Sequence, residues 1–266
     1  GSSGHATTVG RELYGLTLSA ASGITDIDVY QADQFLTGDL LSKFGPEPQV
    51  ETQDIQNHSW IQDGASNDDV DLLKRLDFVI NRDDVTVVAA LNNESSTSVP
   101  ALWGNSFNSI IVGLTNGNHS TGQTSAESSM RQVPHIVAPA DFTSFATPVV
   151  SASAAVLLEA ARSDSNLSSA DRNEVVRSLL LTGATKDEFS GWSNSSTQPL
   201  DEQYGAGEVN ILRSYNTLAA GQHAPSGSGL ANPIGWDLQT DATGTQTYYF
   251  DLPADVIVNE FAATLT

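Results

Sequence analysis

The sequence contains no cysteine among its 266 residues. This absence excludes thiol nucleophiles, cysteine-ligated zinc sites and disulfide frameworks together. Basic residues are also scarce, with 11 Lys and Arg against 32 Asp and Glu, which gives a formal net charge of -21. A surface of that charge is a poor partner for nucleic acid and for anionic membranes. We therefore expect no nucleic-acid partner.

Long hydrophobic runs and several enzyme signatures are missing as well. No apolar run approaches the ~18 residues that span a bilayer, so we expect no membrane insertion. The five histidines are scattered, without the paired spacing of zinc ligands. The sequence has no G-x-S-x-G, no G-x-x-x-x-G-K-[ST] and no G-x-G-x-x-G that opens a helix. These absences argue against α/β-hydrolases, phosphate-loop enzymes and dinucleotide-binding domains.

What the sequence does contain is an alternation of strand-like and helix-like segments. Short apolar runs predict strands at residues 27–30, 53–60, 85–91, 109–115 and 135–139. Helical periodicity predicts helices at residues 5–22, 33–45, 68–84, 143–162 and 168–181. Such an alternation is typical of the α/β class, with a parallel sheet that helices cover on both faces.

The composition changes near residue 222. Residues 1–221 carry the α/β pattern, and residues 222–232 are small, polar and rich in Gly and Pro, which predicts a linker. Two alternating segments, 245–252 and 256–265, predict strands beyond it. We expect residues 233–266 to begin an all-β, sandwich-like module that is truncated, because so few residues cannot form a sandwich alone. We also expect the chain to be incomplete at both ends.

The segment around Ser144 is the strongest candidate for chemistry. Residues 143–162 predict a helix that is apolar on nearly all sides and therefore buried. Thr143 or Ser144 would be its N-cap. Backbone N–H groups and the helix dipole favour developing negative charge at this position, which suits a nucleophile. On the local pattern alone, an ordinary helix cap is the better explanation of the same residues.

Three segments together resemble the motifs of one family. Thr-Ser-Phe-Ala-Thr-Pro, which contains Ser144, resembles the serine motif Gly-Thr-Ser-Met-Ala-x-Pro of the subtilisin-like serine proteases, the peptidase S8 family. His-Ala-Thr-Thr-Val-Gly, which begins at His5, resembles the histidine motif His-Gly-Thr-His-Val-Ala-Gly. Thr-Val-Val-Ala-Ala-Leu-Asn-Asn-Glu resembles the strand end Val-Val-Ala-Ala-Ala-Gly-Asn-Glu. The resemblance implies Ser144 as nucleophile, His5 as general base and Asn93 as oxyanion donor.

Further segments resemble the family in the same order, so the resemblance covers about residues 1–220. Residues 55–60 resemble the strand that lines the substrate cleft, which implies that Ser59 and Trp60 bind substrate and that His58 is structural. Residues 107–114, 136–139 and 204–210 resemble two further strands and the closing helix. The loop at 139–143 is shorter than the family's, so we expect fewer substrate contacts there.

The resemblance implies a serine endopeptidase that acts on peptides or proteins through an acyl-enzyme, secreted or at the cell surface. The orienting Asp motif is missing before His5, and neither Asp26 nor Asp28 matches it. We expect that Asp to lie outside this chain, which would leave the fragment weakly active or inactive alone. The alternative is a catalytically silent subtilisin-like domain that serves as a binding or surface module, which the altered motif positions favour.

The chemistry implied here requires no cofactor. Two acidic clusters, Asp68-Asp69-Asp71 and Asp26-Asp28, suggest structural calcium, which many members of the family bind. An acidic first helical turn or a solvated face explains them at least as well.

Overall fold

The computed structural model describes residues 3–62, 67–125, 131–225, 229–252 and 254–266. Eight strands lie in this part of the chain: β1 Ile55–His58, β2 Thr86–Ala90, β3 Ile110–Leu114, β4 Gly122–Gln123, β5 Gln132–Val133, β6 Ile136–Ala138, β7 Leu230–Ala231 and β8 Tyr249–Phe250. The main sheet is entirely parallel and has the order β1-β2-β3-β6. Two small sheets, β4-β5 and β7-β8, complete the strand pairing.

Six α-helices lie in the same part of the chain: α1 Gly4–Tyr14, α2 Ala32–Gln34, α3 Asn67–Asp83, α4 Thr143–Ser163, α5 Asn173–Gly183 and α6 Ile211–Ala219. A π-helical turn continues α2, and single 3₁₀ turns occur at Trp103–Asn105 and Ser168–Ala170. Helix α4 packs against all four strands of the main sheet and against α1, α5 and α6. It is the central helix of the fold.

Buried side chains lie on both faces of the main sheet. One cluster joins α4 and α5 to the sheet through Val88, Val112, Val150 and Leu157, among others. The other joins α3 to the opposite face through Leu72, Leu76, Val87, Ile111 and Trp103. Strands β2 and β3 are buried at every position, as strands of a covered parallel sheet are. The predicted α/β architecture is therefore confirmed.

Helix α4 begins differently from the prediction. The N-cap is Phe142, whose side chain makes no capping hydrogen bond, and Ser144 is the second residue of the helix. Neither Thr143 nor Ser144 is the cap, because the Thr143 hydroxyl donates to the carbonyl of Leu91 at 2.7 Å instead. In the described part of the chain, α4 alone has the length and hydropathy of a membrane-spanning helix, and it lies in the protein core.

Several predicted elements differ from the structure. Helix α1 ends at Tyr14 rather than near residue 22, because the backbone turns extended at Gly15, with φ -70° and ψ 139°. Residues 27–30 form no strand, because no neighbouring strand pairs with them. Residues 204–210 form turns and isolated bridges ahead of α6. Residues 256–265 form no strand, and between 245 and 252 only β8 is one.

The C-terminal residues contact the α/β part at several points. Trp236 is buried, and its indole N–H donates to the Leu218 carbonyl at 3.0 Å. The hydroxyl of Thr182 donates to that of Thr264 at 2.8 Å. Of the predicted all-β module, β8 is the one strand among the described residues, and it pairs with β7, which lies within the predicted linker. Part of the predicted linker, residues 226–228, lies outside the described residues, and the domain boundaries stay a prediction.

Candidate active site

The three recognised motifs meet at one edge of the main sheet. Parallel strands end at the same edge, so the residues that follow β1, β2 and β6 converge there. Ser59 follows β1, Asn93 follows β2, and the chain leaving β6 enters α4 at Thr143. Helix α1 brings His5 to the same place, where its ring stacks on that of Phe145 with 5.5 Å between ring centroids.

Asn93 is held in a defined orientation beside Ser144. Its side-chain Oδ1 accepts from the Thr143 N–H at 2.9 Å and lies 3.1 Å from the Thr143 hydroxyl. A backbone N–H can only donate, so the atom facing it must be the amide oxygen and not Nδ2. The Nδ2 group therefore points the other way. It makes no hydrogen bond to any described residue.

The turn that carries Asn93 is fixed by its neighbours. Asn93 forms a β-bridge with His119, and the Glu94 N–H donates to the Asn118 carbonyl at 3.1 Å. Glu94 adopts a positive φ of 71°, a left-handed conformation that few residues other than Gly and Asn favour. The hydrogen bonds to a neighbouring segment offset the cost of that conformation, so Asn93 leaves β2 at a set angle.

Ser144 lies half-buried at the N-terminus of α4. The N–H groups of Phe145 and Ala146 both donate to the Phe142 carbonyl, and that of Thr143 donates to Asn93. The Ser144 N–H makes no hydrogen bond to a described residue. Two donors, this N–H and Asn93 Nδ2, are thus left unpaired at a helix N-terminus, where the dipole favours an anion.

His5 is exposed at the start of α1, and its Nε2 lies 3.1 Å from the Ser59 carbonyl oxygen. A carbonyl only accepts, so Nε2 carries the proton of the neutral ring in this arrangement. His5 makes no hydrogen bond to Ser144 or to a carboxylate within the described residues. The ring is therefore placed near the serine but holds the tautomer that cannot accept a proton at Nε2.

The predicted substrate-binding residues lie beside His5. Ser59 is buried, its hydroxyl accepts from Asn57 Nδ2 at 2.9 Å, and its backbone carbonyl faces His5. Trp60 is half-buried and packs edge-to-face on Trp103 with 5.1 Å between ring centroids. Their role in substrate binding stays a prediction. Phe142, which is 50% exposed, lies edge-to-face with Phe145.

His58 belongs to the core. It is buried among the rings of Phe35, Trp60 and Trp103, and its Nε2 lies 3.1 Å from Gln56 Oε1. Burial lowers its pKa from the ordinary value to about 3, because the charged form would lose its hydration. A base that titrates so low and contacts no nucleophile is unsuited to proton transfer, in agreement with the structural role implied by the sequence.

No group of three or more His, Asp or Glu side chains that could hold a metal occurs among the described residues. The side chain of Asp68 lies outside them, so the first acidic cluster is only partly described. Asp28 of the second cluster accepts from the side chain of Gln53 at 3.2 Å. Calcium binding at either cluster stays a prediction.

Sequence reasoning missed two residues of the site. Thr143 matches the serine motif, but nothing in the sequence shows that its N–H and hydroxyl bind Asn93, 50 residues away. Phe145 occupies the motif position after Ser144, and its stacking on His5 depends on the placement of α1. Apart from the motif match of Thr143, the sequence signal for either residue is its position next to the serine.

Comparison with known proteins gives one family. The Subtilase family model (Peptidase_S8) matches residues 2–207. The solved prenylagaramide maturation protease PagA is 21% identical, with 80% of this chain and 82% of that chain covered and a TM-score of 0.49. The patellamide maturation protease PatA is 22% identical, with 64% and 65% covered and a TM-score of 0.42. The chain thus spans about 65% of the length of PatA.

Fervidolysin from Fervidobacterium pennivorans, a keratinolytic enzyme related to subtilisin, is 18% identical, with 61% of this chain and 26% of that chain covered and a TM-score of 0.39. No curated protein sequence matches the chain. The family model extends over most of the sequence and includes both the histidine and the serine segments. This chain therefore belongs to the subtilase family of peptidases.

Proposed function

We propose that this chain carries the nucleophile, the base and the oxyanion donors of a serine endopeptidase. The observation that supports it most is the contact between two motifs far apart in sequence, in which Asn93 Oδ1 accepts from the N–H of the residue before Ser144 at 2.9 Å. This contact aims Asn93 Nδ2 away from Thr143 and leaves it free to donate. The substrate of the proposed endopeptidase is a peptide or protein that lies along Ser59 and Trp60.

In the proposed reaction, His5 Nε2 takes the proton of Ser144 Oγ as that oxygen attacks the substrate carbonyl carbon. The Ser144 N–H and Asn93 Nδ2 donate to the oxygen that becomes negative. His5 then gives the proton to the leaving amine, which departs and leaves an acyl-enzyme on Ser144. Water, with His5 again as base, attacks the acyl carbon and releases the acid.

This reaction needs the other His5 tautomer, with the proton on Nδ1. In the structure Nε2 donates to the Ser59 carbonyl, and no described carboxylate accepts from Nδ1. A carboxylate at Nδ1 would fix the proton there and stabilise the imidazolium that forms during attack. We therefore propose that the orienting acid comes from polypeptide outside this chain.

The alternative function is a silent subtilase domain that binds proteins without cleaving them. The observation that favours it is the same Nε2–H···O contact of His5, which a permanently inactive domain would tolerate. Retention of His5, Asn93 and Ser144 at one sheet edge favours the enzyme, because a binding scaffold has no need of all three.

Ser144→Ala in the complete protein tests the proposal. Peptide hydrolysis should fall by about a millionfold, as removal of the serine does in the subtilisin example, and fluorophosphonate labelling should disappear. Ser163→Ala removes an exposed hydroxyl from the last turn of the same helix and should change neither. If the wild-type protein is not labelled by the fluorophosphonate although circular dichroism shows that it is folded, the silent domain would be favoured instead.

A further inference from the structure

The turn that carries Asn93 is paired with the loop that follows β3. Asn93 lies opposite His119 in an antiparallel bridge. The Ser120 N–H donates to the Asn92 carbonyl at 3.0 Å, and the Asn92 N–H donates to the Ser120 hydroxyl at 3.2 Å. These bonds lie beyond the end of β2 at Ala90. The direction in which Asn93 leaves β2 therefore depends on where this loop is held.

The side chain of His119 anchors the loop to two other segments. The ring is fully buried. Its Nδ1 lies 2.9 Å from the backbone nitrogen of Leu114 at the end of β3, and its Nε2 lies 2.9 Å from the Gln203 carbonyl oxygen. The ring packs against Gly113, where a Cβ atom would lie 2.5 Å from Nε2. The loop is thus fixed to β3 on one side and to residues 201–205 on the other.

Each ring nitrogen of His119 has one possible role. The Leu114 N–H can only donate, so Nδ1 accepts, and the Gln203 carbonyl can only accept, so Nε2 donates. Burial lowers the pKa of His119 to about 4, because the charged ring would lose its hydration, and the neutral ring keeps this tautomer at neutral pH. Both polar atoms of the buried ring are satisfied by backbone groups, which holds the ring in one orientation.

The segment that receives His119 is itself well held. The buried carboxylate of Asp201 accepts from the N–H groups of Gln203 and Tyr204 at 2.9 and 2.8 Å. The Gln203 side chain returns to the loop, where its Nε2 donates to the Gly117 carbonyl at 3.3 Å. Gly117 has a φ of 74°, a left-handed conformation that glycine adopts without strain. The anchor of His119 is therefore a fixed turn.

A second buried histidine provides an internal comparison. His135 also lies beside β3, and its Nδ1 accepts from the Ile111 N–H at 3.1 Å. Its backbone bonds Ile111 and Ala206, and its ring bonds the backbone of Ser109. These partners lie outside the candidate site. The two histidines therefore make similar contacts with the same strand, but only His119 is bridged to Asn93.

We infer that His119 is a positioning residue for the proposed oxyanion donor and acts through its bridge to Asn93. Its ring fixes the loop, and the loop fixes the turn beyond β2. That turn aims Asn93 so that Oδ1 meets the Thr143 N–H and Nδ2 points away from it. The effect on catalysis rests on the proposed function, whereas the effect on the orientation of Asn93 does not.

The experiment compares three substitutions of His119 in the complete protein. His119→Leu removes both ring hydrogen bonds. His119→Asn keeps an oxygen near the place of Nδ1 that can accept from Leu114, and His119→Gln keeps an N–H group near the place of Nε2 that can donate to Gln203. The same three substitutions of His135 are the matched controls. Circular dichroism verifies that each variant is folded.

Two measurements are made on every variant. Hydrogen exchange at the Thr143 N–H and the NMR resonances of the Asn93 side-chain amide report the orientation of Asn93 directly. Hydrolysis of a fluorogenic peptide gives kcat and KM. The first measurement needs no catalysis, so it remains informative if the protein is not a peptidase.

We expect His119→Leu to speed exchange at Thr143, to shift the Asn93 amide resonances and to lower kcat by roughly tenfold to a hundredfold with little change in KM. His119→Asn and His119→Gln should each restore part of the loss, because each keeps one of the two hydrogen bonds. His135→Leu should destabilise the fold as well, but it should leave Thr143 exchange, the Asn93 resonances and kcat unchanged in the folded protein.

Unchanged exchange at Thr143 and unchanged Asn93 resonances in folded His119→Leu would overturn the inference. Equal changes in His135→Leu would also overturn it, because a general loss of stability would then explain both. If His119→Leu does not fold, the Asn and Gln variants of the two histidines decide by the same comparison. A displaced Asn93 amide in a protein without peptidase activity would support the positioning role and contradict the proposed function. Loss of kcat in Asn93→Ala, with an undisturbed Asn93 in His119→Leu, would do the reverse.

Discussion

The two halves of the candidate site differ in how firmly the fold holds them. The serine half, consisting of β2, β3, β6 and α4, is buried and cross-linked by hydrogen bonds, and Thr143 is only 1% exposed. The histidine half, consisting of α1, residues 24–30 and β1, lies at the sheet edge. Gly10 is the only buried residue of α1. The chain thus builds the proposed oxyanion donors into its core and places the proposed base on a helix with a single buried residue.

This difference separates two requirements of catalysis. Oxyanion donors act only if they are already aimed before charge develops, so they belong on rigid elements. The base needs the correct tautomer, which a hydrogen-bond partner at Nδ1 supplies. Within the described residues the orientation of Asn93 and the N–H of Ser144 fit the first requirement of the proposed reaction, while His5 has no partner at Nδ1. The histidine half is therefore the part of the site that the proposed reaction leaves incomplete.

The first prediction compares how much a buried leucine contributes to stability in each half. Leu157 lies fully buried in α4, and Leu13 is half-buried in α1. Leu157→Ala should lower the free energy of unfolding by about 2–5 kcal/mol, because it leaves a cavity in a close-packed core. Leu13→Ala should lower it by about 1 kcal/mol or less, since the side chain is only half-buried. Urea unfolding measures both, and equal losses would contradict the distinction between the halves.

The next effect concerns the oxyanion donor of the serine half. Asn93→Ala should lower kcat of the complete protein by roughly a hundred- to a thousandfold, about 2.7–4 kcal/mol, with little change in KM. Asn93→Asp keeps an oxygen that accepts from the Thr143 N–H but removes the Nδ2 donor, so it should be at least as damaging to kcat. A change confined to KM in both variants would show that Asn93 only shapes the turn after β2.

The third prediction concerns the pH dependence of stability. Burial lowers the pKa of His58 to about 3 and that of His119 to about 4. Below about pH 6.5 the unfolded chain binds protons at these residues while the folded chain does not. The free energy of unfolding should therefore fall as the pH is lowered from about 6 to 4, by up to ~1.4 kcal/mol per pH unit for each histidine. His58→Gln should make the free energy of unfolding less dependent on pH, and His5→Gln, at an exposed position, serves as the control. Equal pH dependence in wild type and His58→Gln would refute the contribution assigned to His58.

The sequence predicts the serine half much better than the histidine half. Strands β2 and β3 and helix α4 bury nearly every side chain, so their apolar runs alone identify them. Two predictions in the histidine half are wrong. The strand predicted at 27–30 does not form, because a strand also needs a partner to pair with. The helix predicted from residue 5 is shorter than expected, because it ends at Gly15.

The candidate site, too, can be predicted from the sequence only in part. Motif order identifies His5, Asn93 and Ser144 as candidates, but the hydrogen bond between Asn93 and Thr143 spans 50 residues and follows only from the convergence of β2 and α4. The tautomer of His5 depends on the position of the Ser59 carbonyl, another long-range contact. Local patterns carry no information on such contacts, since they arise from the sheet order.

The most direct test of the account compares hydrolysis by the 266-residue chain with hydrolysis by a version extended upstream with its native sequence. Without an acid at His5 the chain should be far less active, by about 3 × 10⁴ in kcat if the loss equals that of the orienting Asp in the subtilisin example. Casein or a fluorogenic peptide serves as substrate, and circular dichroism verifies that both proteins are folded. Comparable kcat values would contradict the account and would place the orienting acid within this chain, at Asp26 or Asp28.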